Sequence, residues 1–171
     1  MRQISASQVR ELTTDIEVEL ERLGRLESGI NQVQQEMRRT PELATIFYES
    51  VALKLHNFYT GCERIFQLIA SELNGILPSS YDWYKRLLNR MGVEREGLPK
   101  VLSQDTISRL QDYLGFRHIV RNLYGFELDP VRLEQLIEQY PPVWHQFQDE
   151  VRQFLNELQN LAEQLEGDNS F

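Results

Sequence analysis

The stretch SQVRELTTDIEVELERLGRLESGINQVQQEMRR, Ser7 to Arg39, decides the fold class. Val9, Leu12, Ile16, Leu20, Leu23, Ile30, Val33 and Met37 recur at steps of three, four and seven, which puts them on one face of a helix. Glu17, Glu19, Glu21 and Glu27 mostly fall on other faces, and Gly24 and Gly29 permit a bend or a close approach. A long helix with one apolar stripe needs other helices to cover that stripe.

The rest of the chain supplies them. Thr40-Pro41-Glu42 reads as a helix start, with a cap, a proline at the first position and an acid in the first turn. The helix it opens is predicted to run to about Leu73. Ile46, Phe47, Phe58, Cys62, Ile65, Phe66, Ile69 and Leu73 form its apolar face, and Asn74-Gly75 stops it. Pro78-Ser79-Ser80 is a loop, and Ser80 or Asp82 can cap a short third helix ending at Met91-Gly92. A polar connection from Glu94 to Lys100 leads to a fourth helix predicted over Ser103–Tyr124. Its apolar positions are Ile107, Leu110, Leu114, Ile119 and Leu123, and Gly125 stops it. Asp129-Pro130 starts the last helix. Pro141-Pro142 is expected to break or kink it, because two N–H groups are missing. Val143, Phe147, Val151, Phe154, Leu155, Leu158, Leu161 and Leu165 then continue one stripe, and Gly167 to Phe171 reads as a frayed tail. No stretch alternates as a strand does. The expectation is an all-α chain: an antiparallel four- to five-helix bundle in one domain over residues 1–171.

Hydrophobic residues at 41% and charged residues at 26% are ordinary for a soluble globular chain. Apolar runs are too short to span a bilayer, and Arg2, Gln3, Arg10 and Glu11 interrupt any signal-peptide core. A cytoplasmic address is therefore the default. Cys62 is the only cysteine, which leaves no disulfide framework. It lies on the apolar face of the second helix and reads as a core residue. The net charge of −8 weakens nucleic-acid binding through the whole-molecule field, so any RNA contact needs a local basic patch.

Several chemical signatures are absent: no phosphate-binding glycine loop, no His-Glu-x-x-His helix and no Cys-x-x-Cys pair. His56, His118 and His145 are far apart and read as structural, so no metal and no other cofactor is expected. Trp83 and Trp144 could stack bases, but a bundle usually buries them. The informative segment is Phe116-Arg117-His118-Ile119-Val120-Arg121-Asn122-Leu123-Tyr124-Gly125-Phe126. If the fourth helix runs through it, Arg117, Arg121 and Tyr124 share one face, where two guanidiniums and a phenol can hold a phosphate. His118 and Asn122 form an adjacent row. The plainer alternative is that these arginines pair with acids of a neighbouring helix, in a chain with 26 of them. Lys85, Arg86, Arg90 and Arg95 make a basic cluster that is either a solvated face or an RNA-backbone track leading towards Arg117 and Arg121.

This segment resembles the HepT branch of the HEPN superfamily, whose motif is Arg, any four residues, His, any residue, Tyr. Arg117 and Tyr124 match, and Asn122 stands where the family has His. Leu55-His56-Asn57-Phe58-Tyr59-Thr60-Gly61-Cys62-Glu63-Arg64-Ile65-Phe66 is similar to the family's second helix. Trp83-Tyr84-Lys85-Arg86-Leu87-Leu88 is similar to its short third segment, in which His often follows the Trp. The resemblance covers the chain from about Pro41 onward, and more loosely before it.

The resemblance implies a HEPN-type bundle that dimerises, bringing motifs of two subunits around one cleft. It implies a toxin of a toxin–antitoxin pair that cleaves RNA without a metal. It also implies an MNT-type nucleotidyltransferase antitoxin that adenylylates the motif tyrosine, Tyr124. The reaction needs a base for the ribose 2′-OH, an acid for the leaving 5′-oxygen and a cation for the charged phosphorane. On this pattern Arg117, Asn122 and Tyr124 are the catalytic set, with Arg121, Lys85, Arg86 and Arg90 as phosphate contacts. Asn122 hydrogen-bonds but does not carry a proton through neutral pH, and losing such help costs roughly 10²–10⁴-fold. His118, one turn earlier on the same row, is the candidate replacement. The alternative is a weak or inactive module of the same fold that docks a nucleotidyltransferase or another protein.

Overall fold

A computed structural model describes residues 4–95 and 97–168 of the chain. Five helices follow in order: α1 (Ala6–Arg39), α2 (Ala44–Ile69), α3 (Trp83–Arg90), α4 (Gln104–Val120) and α5 (Pro130–Asp168). Among the described residues there is no β-strand beyond one isolated bridge between Arg95 and Leu98, and no helix is long and apolar enough to cross a membrane. The chain is an all-α bundle.

α1 begins with a reciprocal cap. Ser5 Oγ accepts from the Gln8 amide and Gln8 Oε1 accepts from the Ser5 amide at 3.1 Å. Its predicted stripe is buried from Val9 to Ile30, with Val33 and Met37 packed at the edge. Thr40 closes α1 instead of capping α2: its hydroxyl donates back to the Glu36 carbonyl at 2.8 Å, and no side chain caps the tight turn Pro41–Leu43 that follows. α2 is the central helix and packs against α1, α3, α4 and α5. Gly61 lets α1 and α2 approach closely, since a Cβ there would lie 2.4 Å from Leu23 Cδ2. A π-helical turn over Ala70–Asn74 ends this segment, and Gly75 takes the left-handed φ of 69° that the reversal requires.

Phe58 ties α2 to the other side of the bundle. Its ring meets Tyr113 of α4 at 5.2 Å and Tyr140 of α5 at 5.1 Å, both edge to face. Such pairs contribute about 0.5–1.5 kcal/mol each beyond burial. The Tyr113 hydroxyl donates to the Leu136 carbonyl at 2.7 Å. Trp144 is buried, and its Nε1 donates to Glu27 of α1 at 3.0 Å, beside a 2.7 Å contact from His145 Nε2 to the same carboxylate.

Several sequence expectations change. Ile46 is 68% exposed and Ile119 is 42% exposed, so neither belongs to the core. Asp82 does not cap α3 with its side chain; its carboxylate holds the Ser80 hydroxyl and the Arg86 guanidinium. Pro141-Pro142 does not break α5, because buried side chains on both sides, Leu136 to Tyr140 and Val143 to Phe147, dock into one core. α5 runs through Asp168; the rest of the expected tail, residues 169–171, and the Leu165 side chain lie outside the described residues.

Candidate functional site at the end of α4

α4 starts at Ser103, whose Oγ accepts from the Thr106 amide at 3.2 Å and donates to Glu150 at 2.7 Å. It ends at Val120, four residues before the predicted Tyr124. Asn122 causes this locally. Its backbone amide turns to the Ile119 carbonyl while its side-chain Nδ2 donates to the His118 carbonyl, the acceptor a continuing helix would use for the backbone. The chain then extends at Tyr124, and the Glu127 carboxylate accepts from the Tyr124 amide at 3.2 Å. The expected Arg117–Arg121–Tyr124 helix face therefore does not form. Arg117 lies on the helix, Arg121 at its cap and Tyr124 beyond it.

Arg117 is only 2% exposed. Its guanidinium donates to both Glu63 oxygens, at 3.2 and 2.7 Å, and sits 4.7 Å from the centre of the Tyr59 ring. The plainer alternative read from the sequence, pairing with an acid of a neighbouring helix, holds for this arginine. Burial first, and then the Glu63 charge, push the Tyr59 phenol far up.

Arg121 differs: it is exposed and has no ion pair among the described residues. His118 is half-buried, with its ring tilted against Tyr84 at 4.4 Å. Its Nε2 is buried and has no hydrogen-bond partner among the described residues. It lines a cavity of about 330 Å³ with Lys85, Asn89 and Gln111. Burial, and then Arg117, Arg121 and Lys85, hold its imidazole below the usual range, against an opposing pull from Glu63. Of the predicted basic cluster, Lys85 lies at this cavity, while Arg86 pairs with Asp82 at 3.1 Å and Arg90 donates to the Ile76 carbonyl at 3.1 Å. Asn122 and Tyr124 are exposed, Tyr124 by 71%. The Phe126 side chain lies outside the described residues.

Two residues were missed by sequence reasoning as parts of this site. Glu63 holds Arg117, and His56 lines a groove of about 320 Å³ with Arg121 and Glu49. Burial lowers the His56 imidazole first, and Arg121 and Arg117 lower it further, against an opposing hydrogen bond from the imidazole to the Asn57 side chain. The available signal was spacing: His56, Tyr59 and Glu63 lie at i, i+3 and i+7, one face of α2. Gly125 matters by its lack of a side chain, since the Glu49 carboxylate occupies the place its Cβ would take.

The fold and site thus define an all-α bundle carrying a cationic, histidine-flanked segment at the end of α4. A family model described as HepT-like protein matches residues 50–158, more than half of the chain, which includes every residue of this segment. The chain belongs to the HepT-like family. No curated protein and no solved structure matches it.

Proposed function

We propose that this chain, as one domain over residues 1–171, is the toxin of a toxin–antitoxin pair: a homodimeric, metal-independent endoribonuclease of the cytoplasm, neutralised by an MNT-type nucleotidyltransferase. Family membership supports the toxin-like class. The observation that supports the chemistry is an exposed Arg121 without an ion pair among the described residues, next to an imidazole held below its usual pKa range. A guanidinium in that position binds a phosphodiester by its two-pronged donor face. The His118 imidazole can exchange protons, which the Asn122 amide does not. In this reading Arg117, fixed by Glu63, supplies background positive potential and positions the neighbouring His118. Asn122 shapes the turn, and Lys85 meets the RNA backbone; Arg86 and Arg90, tied within the fold, contribute field only. Tyr124, exposed beyond the helix, is the acceptor for adenylylation: its hydroxyl oxygen bonds to the α-phosphorus of ATP and pyrophosphate leaves.

Induced expression tests this. Wild-type chain is expected to arrest growth, and His118→Ala and Arg121→Ala to relieve the arrest at equal protein level. Asn122→Ala is expected to retain it. Unimpeded growth at full wild-type expression overturns the toxin reading.

A second reading has its own support. With Arg117 committed to Glu63 and Asn122 in place of a proton carrier, the chain could serve as an inactive module that docks a nucleotidyltransferase. That reading predicts a stoichiometric complex with the nucleotidyltransferase encoded beside it, together with RNA that stays intact.

A further inference from the structure

The chain carries 26 acids against 18 Lys and Arg, and most of its grooves reflect that. The one beside Arg121 is lined in part by Glu49, one at the start of α2 by Glu134 and Glu138, and two along α5 by Glu94 and Glu157. The groove of about 330 Å³ between α3 and α4 differs, because no carboxylate lines it among the described residues. Lys85 and Asn89 come to it from α3, and Gln111 and His118 from α4. The side chains of Lys85, Asn89 and Gln111 have no hydrogen bond and no ion pair among the described residues, whereas Arg86 and Arg90 on the same helix are both tied down. The two helices run antiparallel: Tyr84 meets His118 at one end, and a Cβ on Gly92 would meet Ile107 at the other. Lys85 and His118 therefore mark a cationic end, and Asn89 and Gln111 an amide end. These ends are separated by four residues on α3 and seven on α4, roughly 6 and 10 Å of helix rise. The buried side chains of Leu88 and Leu114 give the groove an apolar surface.

Resting on the ribonuclease reading above, we infer that this groove reads one unpaired nucleotide of the RNA, with an adenine base at the Asn89–Gln111 end and its phosphate at the Lys85–His118 end. Sequence-specific recognition of RNA is directed mainly at splayed-out single-stranded bases, and a groove of this size takes one nucleotide and no duplex. A side-chain amide offers one donor and one acceptor side by side, which matches the amino group and ring nitrogen on an adenine edge. Guanine is most often read by a guanidinium, and the cytosine amino group by a carboxylate; the groove is lined by neither. Uracil shares the mixed donor–acceptor pattern, but a purine covers more of Leu88 and Leu114. The Lys85 ammonium, with no acid paired to it among the described residues, meets the phosphate. Because His118 lines the same groove, the nucleotide held there lies beside the proton carrier. Asn89 and Gln111 are then specificity residues, and cleavage falls at a phosphate next to an adenine.

The test is binding, read by fluorescence anisotropy in EDTA, of four labelled oligonucleotides UUUXUUU in which X is A, U, C or G. They are 2′-O-methylated, so that no 2′-hydroxyl is present to attack and binding is read apart from cleavage. Wild type is expected to bind the A-centred oligonucleotide about 5–150-fold more tightly than the other three, the range of one good two-point base contact. Asn89 and Gln111 are both exposed, so the double variant Asn89→Ala/Gln111→Ala is expected to keep its helical content and to bind all four alike. Lys85→Ala is expected to weaken all four equally, keep the preference for A, and lower the salt slope by about 0.7. Equal binding of the four by wild type, no binding of any, or a preference for A that survives in the double variant overturns the assignment. Unmethylated RNA given to the same proteins separates the two readings. Cleavage without bias towards adenine leaves the ribonuclease standing and removes the base pocket. A preference for A in binding, with unmethylated RNA left intact, keeps the pocket and removes the ribonuclease.

Discussion

Arg117→Ala removes the positive half of a nearly solvent-free ion pair. The two side chains are 2% and 11% exposed, and the pair is held by two hydrogen bonds. Deleting one partner of such a pair costs about 3–5 kcal/mol, because the other charge is left buried and uncompensated. The contact with the Tyr59 ring is lost as well. Against a typical total stability of about 5–15 kcal/mol this is a large share. For a chain of this size each kcal/mol moves Tm by roughly 2–4 °C, so the variant is expected to melt about 6–20 °C lower. Glu63→Gln is expected to destabilise for the same reason from the other side. The double variant Arg117→Met/Glu63→Leu, which removes both charges and keeps volume, is expected to recover most of the loss, giving a clear coupling energy in a double-mutant cycle. The assay is urea unfolding followed by helical circular dichroism. A loss below about 1 kcal/mol in both single variants, with no coupling, would refute the buried-pair reasoning. One consequence is practical: loss of toxicity in Arg117→Ala reports unfolding as readily as lost chemistry, so Arg121 and His118 are the diagnostic positions.

Further outcomes follow from the packing. Gly61→Ala places a methyl 2.4 Å from a buried Leu23 methyl and is expected to cost about 1–3 kcal/mol in urea unfolding, although alanine favours a helix interior. Leu23→Ala in the same chain should relieve that clash, so the double variant should lose less than the sum of the two single changes. Burial pushes the Cys62 thiol well up and leaves it with no exposed surface, so a thiol reagent is expected to label it only in denaturant. Rapid labelling of the native protein would mean that α2 is not packed as described. Glu27→Leu strips the Trp144 indole of its acceptor and is expected to destabilise by about 1–3 kcal/mol, with a changed tryptophan emission.

The helices were legible because their signals are local. The stripe from Val9 to Ile30 and the Asp129-Pro130 start each depend on a few neighbouring residues, and Asp129 Oδ1 does accept from the Val131 amide at 3.0 Å. The end of α4 was not legible. Its last predicted turn ends where the Asn122 side chain competes for the His118 carbonyl, well before the glycine that reads as the stop. The double proline misled in the opposite direction, since tertiary burial on both flanks holds α5 together. The candidate segment Arg117 to Tyr124 stands out by its residue types, but its arrangement does not follow from them. The acid that claims Arg117 lies 54 residues earlier, and the imidazole that shares Arg121 comes from the same distant helix. The spacing of His56, Tyr59 and Glu63 puts them on one face of α2, but it does not say which side chains of α4 that face meets.

The most direct measurement is the fate of a defined single-stranded RNA incubated with purified chain in EDTA, with the ends of the fragments analysed. Cleavage is expected to yield 2′,3′-cyclic phosphate and 5′-hydroxyl ends, and to fall sharply in Arg121→Ala and His118→Ala. Intact RNA across diverse substrates, from a folded wild-type protein, would contradict it.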